Sequence, residues 1–262
     1  MPASLRSQKD FQRVRKLPFC YWCGGAFIEG DSCDADHVPP SAVFNIEDRS
    51  PVLKLKTHTR CHKPFADEDK QIGQLIGMRL RKASPPSFRD RALNYIPLPQ
   101  GIVGITNVPL NRSLWRWVKG FHSALYQEPV IGRFAVTTPY PMGRRSDGQV
   151  IIQPVLKQHL LAVELIKRNR AFDNIDSIVA YRGKLRYECV WFQRDGAEEW
   201  MCAFALDLYD WKHLAGYSAS IKSRGCAGIY MYADGRVQRG GCMDRKSDIV
   251  VQSLDTLDPF AP

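Results

Sequence analysis

Two short pairs of metal-seeking side chains restrict this chain more than any other feature. Cys20-Tyr-Trp-Cys23 runs into Gly24-Gly25, and His58-Thr-Arg-Cys61 follows further along. A C-x2-C turn offers two thiolates to one tetrahedral ion, and the glycines let the backbone fold back beneath it. An H-x2-C pair adds an imidazole and a third thiolate. Together they make a Cys3His structural zinc site, with Cys20, Cys23, His58 and Cys61 as the expected Zn2+ ligands. Cys33 is the rival fourth ligand, although it lacks the paired spacing. A free Cys61 with a surface His58 is the plainer alternative.

The compartment bears on this choice. The N-terminal text MPASLRSQKDFQRVRK has no apolar run behind its basic residues, so it does not read as a secretory signal. No apolar stretch approaches the length needed to span a bilayer. The expectation is a soluble cytoplasmic protein with no membrane partner, where closely set cysteines favour metal over disulfides. Cys189, Cys202, Cys226 and Cys242 stand apart in strand-like text and read as small buried hydrophobes.

Charge points to the partner. Lys and Arg number 37 against 27 Asp and Glu, a formal net charge of +10. Such a balance suits a polyanion, of which nucleic acid is the commonest. Residues 1–16 form a basic arm or short helix, and Arg13, Arg15 and Lys16 are its expected nucleic-acid contacts. A solvated tail is the simpler fate of such a run.

Periodicity divides the remainder. Residues 17–62 are dense in Cys, His, Asp and Pro and read as turns and short strands. Residues 63–82 read as a helix, with Pro64 in its first turn, Asp67, Glu68 and Asp69 complementing its dipole, and SPPS at 84–87 ending it. Phe65, Ile72, Leu75, Ile76 and Leu80 share one face. The Pro- and Gly-rich stretch 97–111 reads as a loop. A second helix starts at Arg112, with Leu114, Trp117, Val118, Phe121 and Leu125 as its apolar stripe, and a third spans 156–171. Beyond it the text reads as antiparallel strands, with hairpin signals at Arg182-Gly183, Asp195-Gly196 and Asp234-Gly235. The expected class is α+β, in three segments: an arm at 1–16, a small metal-bound module at 17–96, and an α+β domain rich in antiparallel strands at 97–262.

Between the two pairs lies Asp34-Ala-Asp36-His37-Val-Pro-Pro40, and His62 follows Cys61 directly. The order is C-x2-C, D-H-x-x-P, H-x2-C-H, then a helix. On CYWC, DHVPP and HTRCHK, residues of about 17–82 resemble the HNH endonuclease family, whose core is a zinc-stapled ββα-metal module. The resemblance implies that His37 is the general base. It implies that Asp36 and His62 hold a catalytic divalent cation (Mg2+, Mn2+ or Ni2+). The implied activity is endonucleolytic hydrolysis of phosphodiester bonds, with DNA as the implied substrate. The chemistry suits these residue types: a neutral imidazole can take a proton from water near pH 7, and a divalent cation needs hard or borderline donors with open positions. Adjacent strand residues face opposite ways, so Asp36 and His37 converge only if the strand ends or bends there, and Pro39-Pro40 is expected to end it.

This chain departs from the family at one position. The usual Asn before the second metal pair has no counterpart in SPVLKLKT, and Asn45 is the only Asn between His37 and His62. Asp34 and Asp67 could join the metal sphere or stand as solvated acids. The competing functions are a non-catalytic nucleic-acid-binding zinc module on a decayed HNH scaffold, and an interaction protein whose business lies in residues 100–262.

Overall fold

A computed structural model describes residues 3–79, 94–97, 103–106, 110–130, 134–137, 142–144, 150–152, 155–193, 200–209 and 226–232. The class is α+β, with helices set against antiparallel and mixed sheets.

The N-terminal segment is docked. Strand β1 (Ser4–Leu5) joins the edge of the main sheet, and helix α1 (Gln8–Val14) follows. The Ser7 hydroxyl accepts from the Asp10 N–H while the Asp10 carboxylate accepts from the Ser7 N–H, a capping box that starts the helix after one extended residue. Phe11 and Val14 turn into the core, while Arg13, Arg15 and Lys16 stay exposed. The arm is thus pinned along its apolar side and charged on its outer side.

Strands β2 (Cys33–His37) and β3 (Lys54–His58) pair antiparallel, with Asp36 opposite Leu55 and His37 opposite Lys54. A single turn of helix, α2 (Thr59–His62), then leads through a 3-10 turn at Lys63–Phe65 into α3 (Ala66–Arg79). The expected helix from residue 63 is therefore offset by one tight turn. Phe65, Ile72 and Ile76 are buried as the helical spacing requires, and Leu75 is half-buried. Leu80 and the SPPS stop lie outside the described residues.

Two short hairpins follow, β4 (Asn94–Pro97) with β5 (Val103–Thr106), and, after α4 (Leu110–Tyr126) and β6 (Phe134–Thr137), β7 (Met142–Arg144) with β8 (Val150–Ile152). Part of the expected 97–111 loop is thus strand. Helix α5 (Val155–Arg170) precedes β9 (Asp176–Ala180), β10 (Leu185–Gln193), β11 (Trp200–Leu208) and β12 (Cys226–Tyr232). The main sheet runs β1-β9-β10-β11-β12-β6, with β1 parallel to β9 and the other neighbours antiparallel. The Arg182-Gly183 signal does close a hairpin, through a turn with positive φ at Tyr181, Arg182 and Gly183. Asp195-Gly196 and Asp234-Gly235 lie outside the described residues.

Alternation along β10 and β11 builds two cores. Val190, Phe192, Met201, Ala203 and Ala205 face α5 through Ala162, Leu165 and Ile166. Tyr187, Cys189, Trp191, Cys202 and Phe204 face the other way, onto α4 and the N-terminal elements. Cys189 and Cys202 are buried, as small hydrophobes should be. This second core runs from Leu5 to Leu208, so the arm, the Cys/His segment and the later strands contribute to one buried cluster.

Helix α4 buries Leu114, Trp117, Val118, Phe121 and Leu125 as expected, and also Arg116 and Gly120. Gly120 permits the close approach: a Cβ there would stand 2.6 Å from Val38 Cγ1 and 3.3 Å from Leu55 Cδ1. Residues one turn apart share a helix face, so the contact at Gly120 brings Arg116 against the hairpin as well. Among the described residues no helix is long and apolar enough to cross a membrane.

Candidate metal centres

The first centre is built by a knuckle and a strand end. Cys20 N–H donates to Gly25 O (2.8 Å) and Gly24 N–H to Cys20 O (2.8 Å), with Gly24 at φ +75°, so the chain reverses tightly after Cys23. His58 closes β3 and Cys61 sits one helical turn on. Cys20, Cys23, His58 and Cys61 form a cluster able to hold a metal ion, with their donor atoms within 4.8 Å of one another. His58 Nδ1 stands 3.4 Å from Cys23 Sγ and 4.0 Å from Cys61 Sγ, spacings that suit ligands about one tetrahedral ion. His58 Nε2 lies 3.3 Å from Asp31 Oδ2, as an outer carboxylate would stand to fix a ligating imidazole. Cys33, opposite His58 in the ladder, is not part of the cluster.

The thiols do not ionise alike. Burial works against the Cys20 thiolate, but the Thr57 hydroxyl and the Cys23, His58 and Trp22 N–H groups outweigh it and bring its pKa down to about 7. Burial and the neighbouring Cys20 and Cys23 push Cys61 up to about 12. A cation among the three thiols would offset the charge of ionising them side by side. Lys119 of α4 donates to Trp22 O (2.6 Å) over the Trp22 ring, on the side of these thiols.

The second centre joins the hairpin to α2 and α3. Asp36, His62 and Asp69 also hold donor atoms within 4.8 Å of one another. His62 Nε2 lies 3.4 Å from Asp36 Oδ1, and His62 Nδ1 lies 3.4 Å from Asp34 Oδ2. Two carboxylates and an imidazole are a donor set that fits a divalent ion. Asp36 and His62 are expected from the sequence, where Asp69 reads only as a helix-dipole acid. Its position seven residues after His62, two turns along nearly continuous helix, was the available signal. Asp67 is exposed beside Lys70, while Asp34 reaches only the far side of His62.

Three further side chains close the centre. The buried Tyr21 hydroxyl donates to Asp36 Oδ2, and burial with the Asp36 charge holds the phenol well above its usual pKa. Arg116 Nη1 and Nη2 each stand 2.9 Å from one Asp69 oxygen, and Nη2 is 3.5 Å from Asp36 Oδ1. Burial pushes the Asp69 carboxyl up against the opposing pull of Arg116. The guanidinium stacks on Phe65, 4.5 Å from the ring centre, and Trp22 meets Phe65 edge-on. Tyr21 and Arg116 carry no such signal in the sequence, because neither spacing nor periodicity distinguishes them from core residues.

His37 is placed differently from the expectation. The ladder continues through His37 opposite Lys54, and Val38 N–H still donates to Leu53 O (3.1 Å). β2 thus ends just ahead of Pro39-Pro40, as those prolines require, but both Asp36 and His37 lie within the ladder, so the strand neither ends nor bends between them. Alternation then sends Asp36 toward Tyr21 and His62 and His37 to the opposite face. Burial, then Lys54, Arg49 and Arg15, lower the His37 pKa against the pull of Asp36. Asn45 is engaged elsewhere: its N–H donates to the Tyr209 hydroxyl (2.7 Å) and its amide to Asp48 (3.4 Å).

No protein-family model, curated protein or solved structure matches this chain.

Proposed function

We propose that the chain is a metal-dependent endonuclease of HNH type that hydrolyses phosphodiester bonds in DNA. The observation that carries this reading is the meeting of Asp36, His62 and Asp69 at one point, beside a Cys3His cluster and next in sequence to His37. Zn2+ at Cys20, Cys23, His58 and Cys61 would staple the β2–β3 hairpin to α2. A Zn2+ with three thiolates and a neutral imidazole has one net negative charge, which Lys119 offsets.

Asp36, His62 and Asp69 would hold the second ion. When bound, a divalent cation supplies positive charge to the scissile phosphate and to the departing 3′ oxygen. His37, whose lowered pKa keeps it neutral near pH 7, accepts the proton of the attacking water. The water oxygen bonds to phosphorus, the bond to the 3′ oxygen breaks, and that oxygen leaves to be protonated by solvent. Asp36 and His37 face opposite ways along β2, so in this reading the backbone phosphate would lie across the edge of β2 that does not pair with β3. Exposed Arg13, Arg15 and Lys16 would add phosphate contacts.

The test is incubation of supercoiled plasmid and of RNA with Mg2+, Mn2+ or Ni2+, with His37→Ala as control. Cleavage by the wild type and its loss in the variant are expected. No cleavage of either substrate with any ion, or undiminished cleavage by the variant, would refute the enzyme. One observation favours a second reading, a non-catalytic nucleic-acid-binding module: Arg116 already offsets one of the two carboxylate charges where the ion would sit.

A further inference from the structure

Arg116 has no part in the hydrolysis just described, yet it is the most completely enclosed charge at that centre. Its side chain has no solvent exposure. Phe65 covers its flat face, and its edge meets Asp69 through both terminal nitrogens and Asp36 through one. Nε and Nη1 have no partner of hydrogen-bond geometry among the described residues, although Nη1 lies 2.9 Å from Asp69 Oδ1. The guanidinium is held by the charge of the two carboxylates, and it cannot shed its own proton to relieve the site.

Each carboxylate oxygen of the proposed ligand set thus faces a polar group of the protein, although Asp69 Oδ1 meets Arg116 without hydrogen-bond geometry. Asp36 Oδ2 accepts from Tyr21, and Asp36 Oδ1 faces both Arg116 and His62. Both Asp69 oxygens face Arg116. With two carboxylates and one guanidinium the three groups sum to a single negative charge. A divalent cation entering there loses part of its attraction to the acids and meets a fixed positive charge beside them.

We infer that Arg116 is a resident counter-ion of the Asp36–His62–Asp69 centre: it offsets one of the two carboxylate charges and competes with the divalent cation for the acids. This rests on the reading of that centre as a metal site. Removing the guanidinium while keeping a polar side chain frees both acids for the ion. It also leaves two buried carboxylates without a counter-charge, so the fold of such a variant becomes dependent on the cation.

Mn2+ binding to the full-length, zinc-loaded chain tests this, read as loss of the free-ion EPR signal for wild type, Arg116→Gln and Arg116→Lys. The expected result is roughly ten- to a hundred-fold tighter Mn2+ binding by Arg116→Gln, the scale of one charged hydrogen bond no longer competing for the acids. Arg116→Lys keeps the charge but not the stacked, two-nitrogen contact, and should bind Mn2+ less tightly than Arg116→Gln. Thermal melts give a second readout: Mn2+ should raise the melting temperature of Arg116→Gln more than that of wild type. If Arg116→Gln does not fold alone, its refolding should be restored by Mn2+, and failure of that rescue overturns the inference. Equal Mn2+ affinity in wild type and Arg116→Gln overturns the role of Arg116 while leaving the metal site intact. No Mn2+ uptake by any of the three proteins overturns the metal site itself, and the counter-ion role with it.

Discussion

Asp36 has a partner on each oxygen, and that makes it the residue on which the centre turns. Tyr21, His62 and Arg116 converge on it from three separate segments. His37, the next residue, leaves the strand on the other side, and this separates their roles experimentally. His37→Ala should lower cleavage by roughly 10²- to 10⁴-fold with zinc content unchanged, because a general base acts on the barrier and not on the fold. Asp69→Asn should weaken the second cation instead, so raising Mn2+ should restore part of its activity, as measured by plasmid nicking. Acidity gives a further check. The His37 pKa lies below its ordinary 6.5, so the neutral base persists to lower pH than a free imidazole would. A cation at Asp36 would lower it further. The acid limb of the cleavage rate should therefore fall with a midpoint below 6.5, and a midpoint above that value would remove His37 as the base.

At the scale of elements, α4 decides whether the hairpin has a complete centre. Gly120 lies on Val38 and Leu55, and Arg116, one turn earlier, then reaches Asp36 and Asp69. Gly120→Ala places a methyl against buried Val38. Relief requires the helix or the hairpin to shift, at a cost of about 1–3 kcal/mol in denaturant unfolding. The same shift should loosen Arg116 and change Mn2+ affinity, whereas Gly30→Ala has open space around it, and only its positive φ resists the change. α1 is likewise more than a charged arm. Phe11 is fully buried, and Phe11→Ala should cost about 3–5 kcal/mol. Arg13, Arg15 and Lys16 are exposed and should be dispensable for stability.

Over the whole molecule, one buried cluster links residues from Leu5 to Leu208. The segment 39–51 adds to this link. The Tyr181 hydroxyl donates to Pro39 O (3.1 Å), Phe44 stacks on Tyr181, and Tyr181 and Arg182 N–H groups donate to Pro51 and Ser50 carbonyls. Loss of the Cys3His ion should therefore be felt beyond residues 20–61. Cys61→Ser should lose zinc by elemental analysis, and its near-UV signal from tryptophans outside that segment should weaken as well. Net charge acts at this scale too. DNA affinity should fall steeply with salt, and replacing Arg13, Arg15 and Lys16 with Gln should reduce the log–log slope by up to roughly three. An affinity independent of salt would count against a nucleic acid partner.

The sequence by itself determined the Cys3His grouping, because a C-x2-C turn and an H-x2-C helical turn are local geometries that residue spacing encodes directly. It determined the apolar faces of α3 and α4 and the α+β class for the same reason, since periodicity is a local property. It also brought Asp36 and His62 forward together. Only the tertiary structure decided which acid joins Asp36 and His62 in the second candidate centre, that Arg116 and Tyr21 enclose it, and that Asp36 and His37 both lie within the strand ladder. Those outcomes depend on which face of α4 meets the hairpin and how closely, and a contact between residue 36 and residue 116 leaves no periodic mark in either stretch of sequence.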